Sequence, residues 1–317
     1  MCQIILRKIS IYNARARFYL QKTRQYGINY KIFHHYPSRR TNKLDVSYDI
    51  LKKHANSIRK NILKAVYTAN SGHPGGSLSS ADIISTLYFK HLKHDPKNPW
   101  NEIRDRMIFS KGHASPLLYS ALAEAGYIEN KELETFRKLH SRLQGHPVYH
   151  KCPGVEANGG PLGQGFSFSV GMALGLRLSK NPSRVYVLIG DGEMQEGLVW
   201  EAAMAAGHYK LSNMCCILDY NGLQIDGEVE KIMRVSPVAD KFRAFNFNVL
   251  EIDGHDYAQI DSAFAFAKAK TDMPTIIVAR TIKGKGVSFM ENNYTWHGKA
   301  PDKNQYEQAI AELEKLD

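Results

Sequence analysis

The sequence predicts an α/β fold, a mostly parallel sheet with helices on both faces. Short apolar runs of strand length recur at residues 106–110, 185–189, 214–218, 247–252 and 275–279. Segments with helical spacing of apolar residues separate them, the alternation expected of a layered α/β domain. No internal repeat and no linker interrupts residues 45–317, which read as one domain.

Taken in order, residues 57–69 form a helix, because Ile58, Ile62, Ala65 and Val66 share one face. It ends at Asn70-Ser71-Gly72-His73-Pro74-Gly75-Gly76, where a proline and three glycines cannot continue a helix. Ser79 or Ser80 caps the next helix, which runs through Ile83, Ile84, Leu87 and Leu92. A short strand at 106–110 leads into Lys111-Gly112-His113-Ala114 and a helix over 117–124. Residues 153–165 make a glycine-rich loop before a helix carrying Val170, Ala173, Leu174 and Leu176. The strand at 185–189 ends in Gly190-Asp191-Gly192, and a helix over 198–209 joins it to the strand at 214–218. Strand, helix and strand then follow at 247–252, 258–270 and 275–279.

Composition removes several function classes. Apolar residues make up 43% and charged residues 23% of 317, ordinary globular usage. No run approaches the ~18 apolar residues of a membrane span. The net charge of +11 is local: residues 1–44 hold ten Lys/Arg and no Asp/Glu, leaving 32 basic against 31 acidic residues elsewhere. Residues 1–44 are therefore a basic extension and a candidate for disorder. It reads as a nucleic-acid or membrane arm, an organelle-targeting peptide, or a leader without function. A secretory signal is excluded because Arg7 and Lys8 break the early apolar run. The near-neutral remainder gives no reason to expect nucleic acid or membrane as a partner. Cys2, Cys152, Cys215 and Cys216 form no CxxC, so reduced, structural thiols in the cytoplasm are expected.

The most informative segment is Gly190-Asp191-Gly192 with Asp219-Tyr220-Asn221-Gly222-Leu223 about 30 residues later. Each lies just past a strand, and one helix joins the two strands. A βαβ crossover sets such strands side by side, about 4.8 Å apart if adjacent. Asp191 and Asn221 should then leave the same sheet edge, where open α/β sheets bind ligands. A carboxylate, an amide oxygen and a loop carbonyl suit Mg²⁺ completed by phosphate oxygens and water. Gly190 and Gly192 let backbone approach a diphosphate. Gly-Asp-Gly alone is a common turn. A dinucleotide fingerprint fails because its third glycine would fall at Gln195, and a Walker loop fails for want of Gly-Lys-Ser/Thr.

The run from Gly190-Asp191-Gly192-Glu193 to Asn221 resembles the thiamine-diphosphate motif. Five further segments resemble transketolases, in that family's order: Ser71-Gly72-His73-Pro74-Gly75, Ser110-Lys111-Gly112-His113-Ala114, Gly145-His146-Pro147, the loop from Gly159 to Gly165, and Trp296-His297-Gly298. The resemblance implies the thiamine-diphosphate-binding fold, with Asp191, Asn221 and the Leu223 carbonyl on Mg²⁺, for which Ca²⁺ or Mn²⁺ could substitute. It places His73 and His297 near the C3 hydroxyl of a ketose, with His297 also reaching the diphosphate. His113 falls on the diphosphate side, His146 near the donor's C1 hydroxyl, and Gly160 and Leu162 against the aminopyrimidine. Glu196 matches an acidic residue of a carboxylate network across the subunit interface, although a helix-dipole partner is an equal reading. A zinc cluster is the rival account of the histidines, but neither HExxH nor Cys/His pairing at zinc spacing occurs. The segment from Thr281 to Val287 reads as a mobile basic loop that could close on an anionic ligand or, at least equally, as a solvated surface loop, with no role assigned to Lys283 or Lys285.

The family's later domains supply a glutamate that activates the cofactor and arginines for the sugar phosphate. The chain ends about twenty residues after His297, and no candidate for that glutamate occurs in it. The resemblance thus implies a separate C-terminal transketolase subunit, in a heterotetramer, with ketose and aldose sugar phosphates as substrates. Xylulose 5-phosphate with ribose 5-phosphate is the default pair. The rival functions are a deoxyxylulose-phosphate synthase-like enzyme, a 2-oxoacid decarboxylating component, and a non-catalytic thiamine-diphosphate-binding protein.

Overall fold

The structure, a computed structural model, describes residues 46–316, so the expectations for residues 1–44 lie outside the described residues. Helix α1 (Tyr48–Ala69) begins well before residue 57. Ser47 caps it by accepting from the Ile50 amide, and Leu51 and Ala55 bury against Tyr257. Lysines and a histidine between those apolar positions obscure the buried face in the sequence. The Gly/Pro run does not remain a loop. Pro74 opens a short helix, α2 (Pro74–Leu78), at the position where a missing N–H is tolerated. After α3 (Ala81–Thr86) comes one π turn, Leu87–His91.

The middle of the chain follows expectation to within a few residues: β1 (Arg106–Phe109), α4 (Ser115–Glu124), α5 (Gln164–Leu178), β2 (Val185–Gly190), α6 (Gly197–His208) and β3 (Met214–Tyr220). A two-residue hairpin, β4 (Leu223–Gln224) with β5 (Gly227–Glu228), and helices α7 (Val229–Ile232) and α8 (Val238–Ala244) were not foreseeable from apolar spacing. β6 (Asn248–Asp253), α9 (Tyr257–Ala269) and β7 (Thr275–Arg280) complete the alternation. Helix α10 (Lys303–Glu314) is also additional, and it opens with a reciprocal capping box between Asp302 and Gln305.

Five strands form one parallel sheet in the order β1-β2-β3-β7-β6. Successive side chains alternate between its faces. Tyr186, Leu188, Cys215, Ile217 and Ile277 join the core formed with α1, α3, α4 and α9. Val187, Ile189, Cys216, Leu218 and Val278 join the other, with α5, α6 and α8. Burial on both faces explains why the strands read as continuous apolar runs.

Candidate active site

The register pairs Gly190 with Asp219 and Asp219 with Ala279, so β2, β3 and β7 end level. Asp191, Asn221 and Thr281 therefore leave the sheet side by side, as expected for the first two. Asp191 is buried, with Oδ1 accepting from the Gly192 amide at 2.8 Å and Oδ2 from the Gly222 amide at 2.5 Å. Asn221 donates through Nδ2 to Asp219 Oδ2 at 2.9 Å, while its Oδ1 accepts from the Leu223 amide at 3.1 Å. Asp219 thereby fixes which way the amide faces. Fully buried itself, Asp219 is held by Lys111 Nζ at 2.6 Å, Ser79 Oγ at 2.7 Å and the Thr281 hydroxyl.

Lys283 corrects the reading of residues 281–287 as a solvated surface loop. It is 2% exposed, and its ammonium donates to the Leu223 carbonyl at 3.1 Å and lies 3.0 Å from His297 Nδ1. A carbonyl expected to face a metal already faces a cation. Burial, followed by the charge of Asp219, raises the Asp191 carboxyl above its usual range, a deficit that a divalent ion would offset. Carboxylate, amide and carbonyl oxygens at one sheet edge fit a hard divalent ion. Asp191 and Asn221 are the residues that would hold it, joined by the Leu223 carbonyl only once Lys283 releases that oxygen.

Backbone contacts bring the histidine loops to these tips. A Cβ on Gly112 would lie 2.6 Å from the Gly160 amide nitrogen, and the Gly159 amide donates to the Pro147 carbonyl at 2.8 Å. The loops bearing His113, His146 and Gly160 are thus stacked backbone on backbone. On the other side, the Gly284 amide donates to the Gly75 carbonyl at 3.0 Å, and a Cβ on Gly75 would lie 2.9 Å from the Trp296 carbonyl. That contact joins the loops of His73, Lys283 and His297.

The imidazoles of His73, His113 and His297 converge, with ring centroids 5.0–5.4 Å apart. Burial lowers all three: His73 to about 4, His297 to about 3, and His113 well below the ordinary value. They are neutral near pH 7, and burial makes each a weaker base than a free imidazole. His73 Nδ1 is buried without a protein partner, a polar atom available to a ligand. His146 is exposed on the rim, over Gly160. Leu162 is half-buried in the turn before α5. Glu196 sits at the N-cap of α6, exposed and beside Gly163.

Glu193 has no role predicted from the sequence. Its buried carboxylate accepts from the Ser110 hydroxyl, from the Gly163 amide at 2.8 Å and from the Gly190 amide at 3.0 Å. It pins the glycine-rich loop to the tip of β2. Lys111 and Asp219 likewise lie within motifs that attach no role to them. The signal for all three was a charged residue next to an apolar strand, which requires a buried partner.

The family model for the transketolase thiamine diphosphate binding domain matches residues 50–313. A 6-deoxy-6-sulfo-D-fructose transketolase subunit, SqwG, of Clostridium sp. (strain MSTE9) is 43% identical over 84% of this chain and 96% of its own length. One of the apulose-4-phosphate transketolase subunits, from Actinobacillus succinogenes, is 42% identical over 86% of this chain and 99% of its own length. Human transketolase is 40% identical over 83% of this chain but only 42% of its own length. The crystal structure of Campylobacter jejuni transketolase superposes with a TM-score of 0.80 at 40% identity, over 85% of this chain and 43% of that one. Among the described residues no helix is long and apolar enough to cross a membrane. The chain belongs to the transketolase family and carries its N-terminal, thiamine diphosphate binding domain.

Proposed function

We propose that this chain is the N-terminal subunit of a two-chain transketolase. It would move a two-carbon ketol unit from a ketose phosphate to an aldose phosphate with thiamine diphosphate and Mg²⁺. One juxtaposition carries the reading: three neutral histidines meet at the strand tips where Asp191, Asn221 and Leu223 gather oxygen ligands. When bound, the cofactor supplies the carbanion equivalent and electron sink that cleavage between C2 and C3 requires. Asp191, Asn221 and, once Lys283 releases it, the Leu223 carbonyl would hold the metal. Lys283, His113, Gly190 and Gly192 lie on the diphosphate side, and Gly160 and Leu162 against the aminopyrimidine. His73 and His297 lie beside the C3 hydroxyl, where one of the two imidazoles takes its proton as the bond breaks. His146 reaches the C1 hydroxyl from the rim. Glu196, exposed at its cap position, faces a second polypeptide.

Coverage supports the two-chain reading. The relatives named as subunits are spanned almost completely, whereas human transketolase extends well beyond the match. We place the assembly, a heterotetramer, in the cytoplasm, consistent with three buried free thiols. The names of those two subunits add 6-deoxy-6-sulfo-D-fructose and apulose 4-phosphate to xylulose 5-phosphate as donors to test.

Co-purification with the C-terminal subunit, then assay of ketose donors against aldose acceptors, tests the proposal. The pair should transfer ketol units and this chain alone should not. Turnover by the lone chain would defeat the split reading, and pyruvate consumption with CO₂ release by the pair would favour a synthase or decarboxylase.

A further inference from the structure

His255 lies between β6 and α9, outside the constellation above, yet both its ring nitrogens are committed. Nδ1 lies 2.7 Å from Asp82 Oδ2, and Nε2 lies 2.9 Å from the backbone nitrogen of Ile282. A backbone amide can only donate, so Nε2 is the acceptor and the proton sits on Nδ1, donated to Asp82. Asp82 cannot swing away. It also accepts from Arg59 NH1 at 2.9 Å and NH2 at 2.6 Å, and from the Tyr257 hydroxyl at 2.6 Å. The imidazole is therefore held in one tautomer by a buried ion pair and presents a fixed acceptor to the residue preceding Lys283.

The surroundings allow little slack. The Gly254 amide donates to the Arg280 carbonyl at 2.8 Å, and a Cβ on Gly254 would lie 2.5 Å from Thr281 Cγ2. The loops after β6 and β7 thus run in contact where His255 meets Ile282. The next residue delivers its ammonium to Leu223 and His297.

We propose that His255 is a positioning residue for the cofactor site, setting the backbone at Ile282 so that Lys283 is aimed at the diphosphate. This deepens the function proposed above and rests on it. Two amide substitutions separate the two nitrogens. His255→Gln can place an acceptor where Nε2 was while giving up the bond to Asp82. His255→Asn can keep a donor to Asp82 while leaving the Ile282 amide without a partner.

Titration of each purified chain with thiamine diphosphate and Mg²⁺ tests the assignment, read alongside hydrogen exchange over residues 281–287. His255→Asn should bind about tenfold more weakly, the scale of one orphaned amide, and should exchange faster in that segment. His255→Gln should stay within about threefold of wild type and remain protected. A purely structural role through Asp82 predicts the reverse ranking, and that ranking, or equal affinities, would overturn the proposal. If His255→Asn does not fold, the wild-type chain without cofactor decides: a protected Ile282 amide supports the assignment and a rapidly exchanging one overturns it. Failure of wild type to bind cofactor even when paired with the C-terminal subunit would instead refute the site itself.

Discussion

An almost fully buried lysine is a costly group for a fold to keep. Burial pushes Lys283 below the ordinary lysine value, although Asp191 and Asp219 pull it back. Its stem fills the space beside Gly75, where a Cβ would lie 3.1 Å from Lys283 Cγ, so its volume is needed for packing. Lys283→Met keeps the volume and removes the charge. Thermal stability should fall by about 1–3 kcal/mol, because the Leu223 carbonyl loses its donor and the buried Asp191 carboxyl its nearby cation. Affinity for thiamine diphosphate should fall at least about tenfold, roughly 1.4 kcal/mol. Parallel calorimetry and cofactor titration would check this, and unchanged affinity would remove Lys283 from the diphosphate side.

The loops act through backbone contact, so their glycines matter more than their flexibility suggests. In Gly112→Ala the new methyl would meet the Gly160 backbone at 2.6 Å, and neither strand-tip loop can yield without moving His113 or Gly160. A loss of about 2 kcal/mol or more is expected from thermal unfolding, together with weaker cofactor binding. Gly171→Ala in α5 is the control: nothing lies within 4 Å of the added carbon, so the isolated chain should be unaffected or gain about 0.5–1 kcal/mol of helix stability. The same elements mark how far the sequence could be read. β2, β3 and β7 were legible because burial on both faces writes unbroken apolar runs, and Asp191 and Asn221 followed from the strand ends. Helix α10 was not, since only Ala309 and Leu313 among its residues are buried. The two-residue strands of the hairpin are too short to show a period. Lys283 looked solvated because the sequence places it among glycines and lysines. Only the return of β7 beside β3 shows that its loop brings Lys283 to the Leu223 carbonyl.

Acid sensitivity of the whole chain should trace largely to the ion pair that ties α1, α3 and the start of α9 together. Arg59, with help from His255, holds the Asp82 carboxyl well below the usual carboxylate range despite its burial. A carboxyl with a depressed folded value stabilises the protein above the unfolded value of about 3.9, and that contribution is lost as pH falls toward the folded value. The Tm of Asp82→Asn should lie several degrees below wild type at pH 7, and the gap should close as pH drops from about 5 toward 2. A gap independent of pH would show that the pair is not the titrating element. The joining of two strand tips around one ion and a diphosphate is tested more directly by a single binding measurement. Titrated with thiamine diphosphate with and without Mg²⁺, the wild-type chain should bind only with the metal present, and Asp191→Ala should lose that metal-dependent binding. Full cofactor affinity in Asp191→Ala would contradict it.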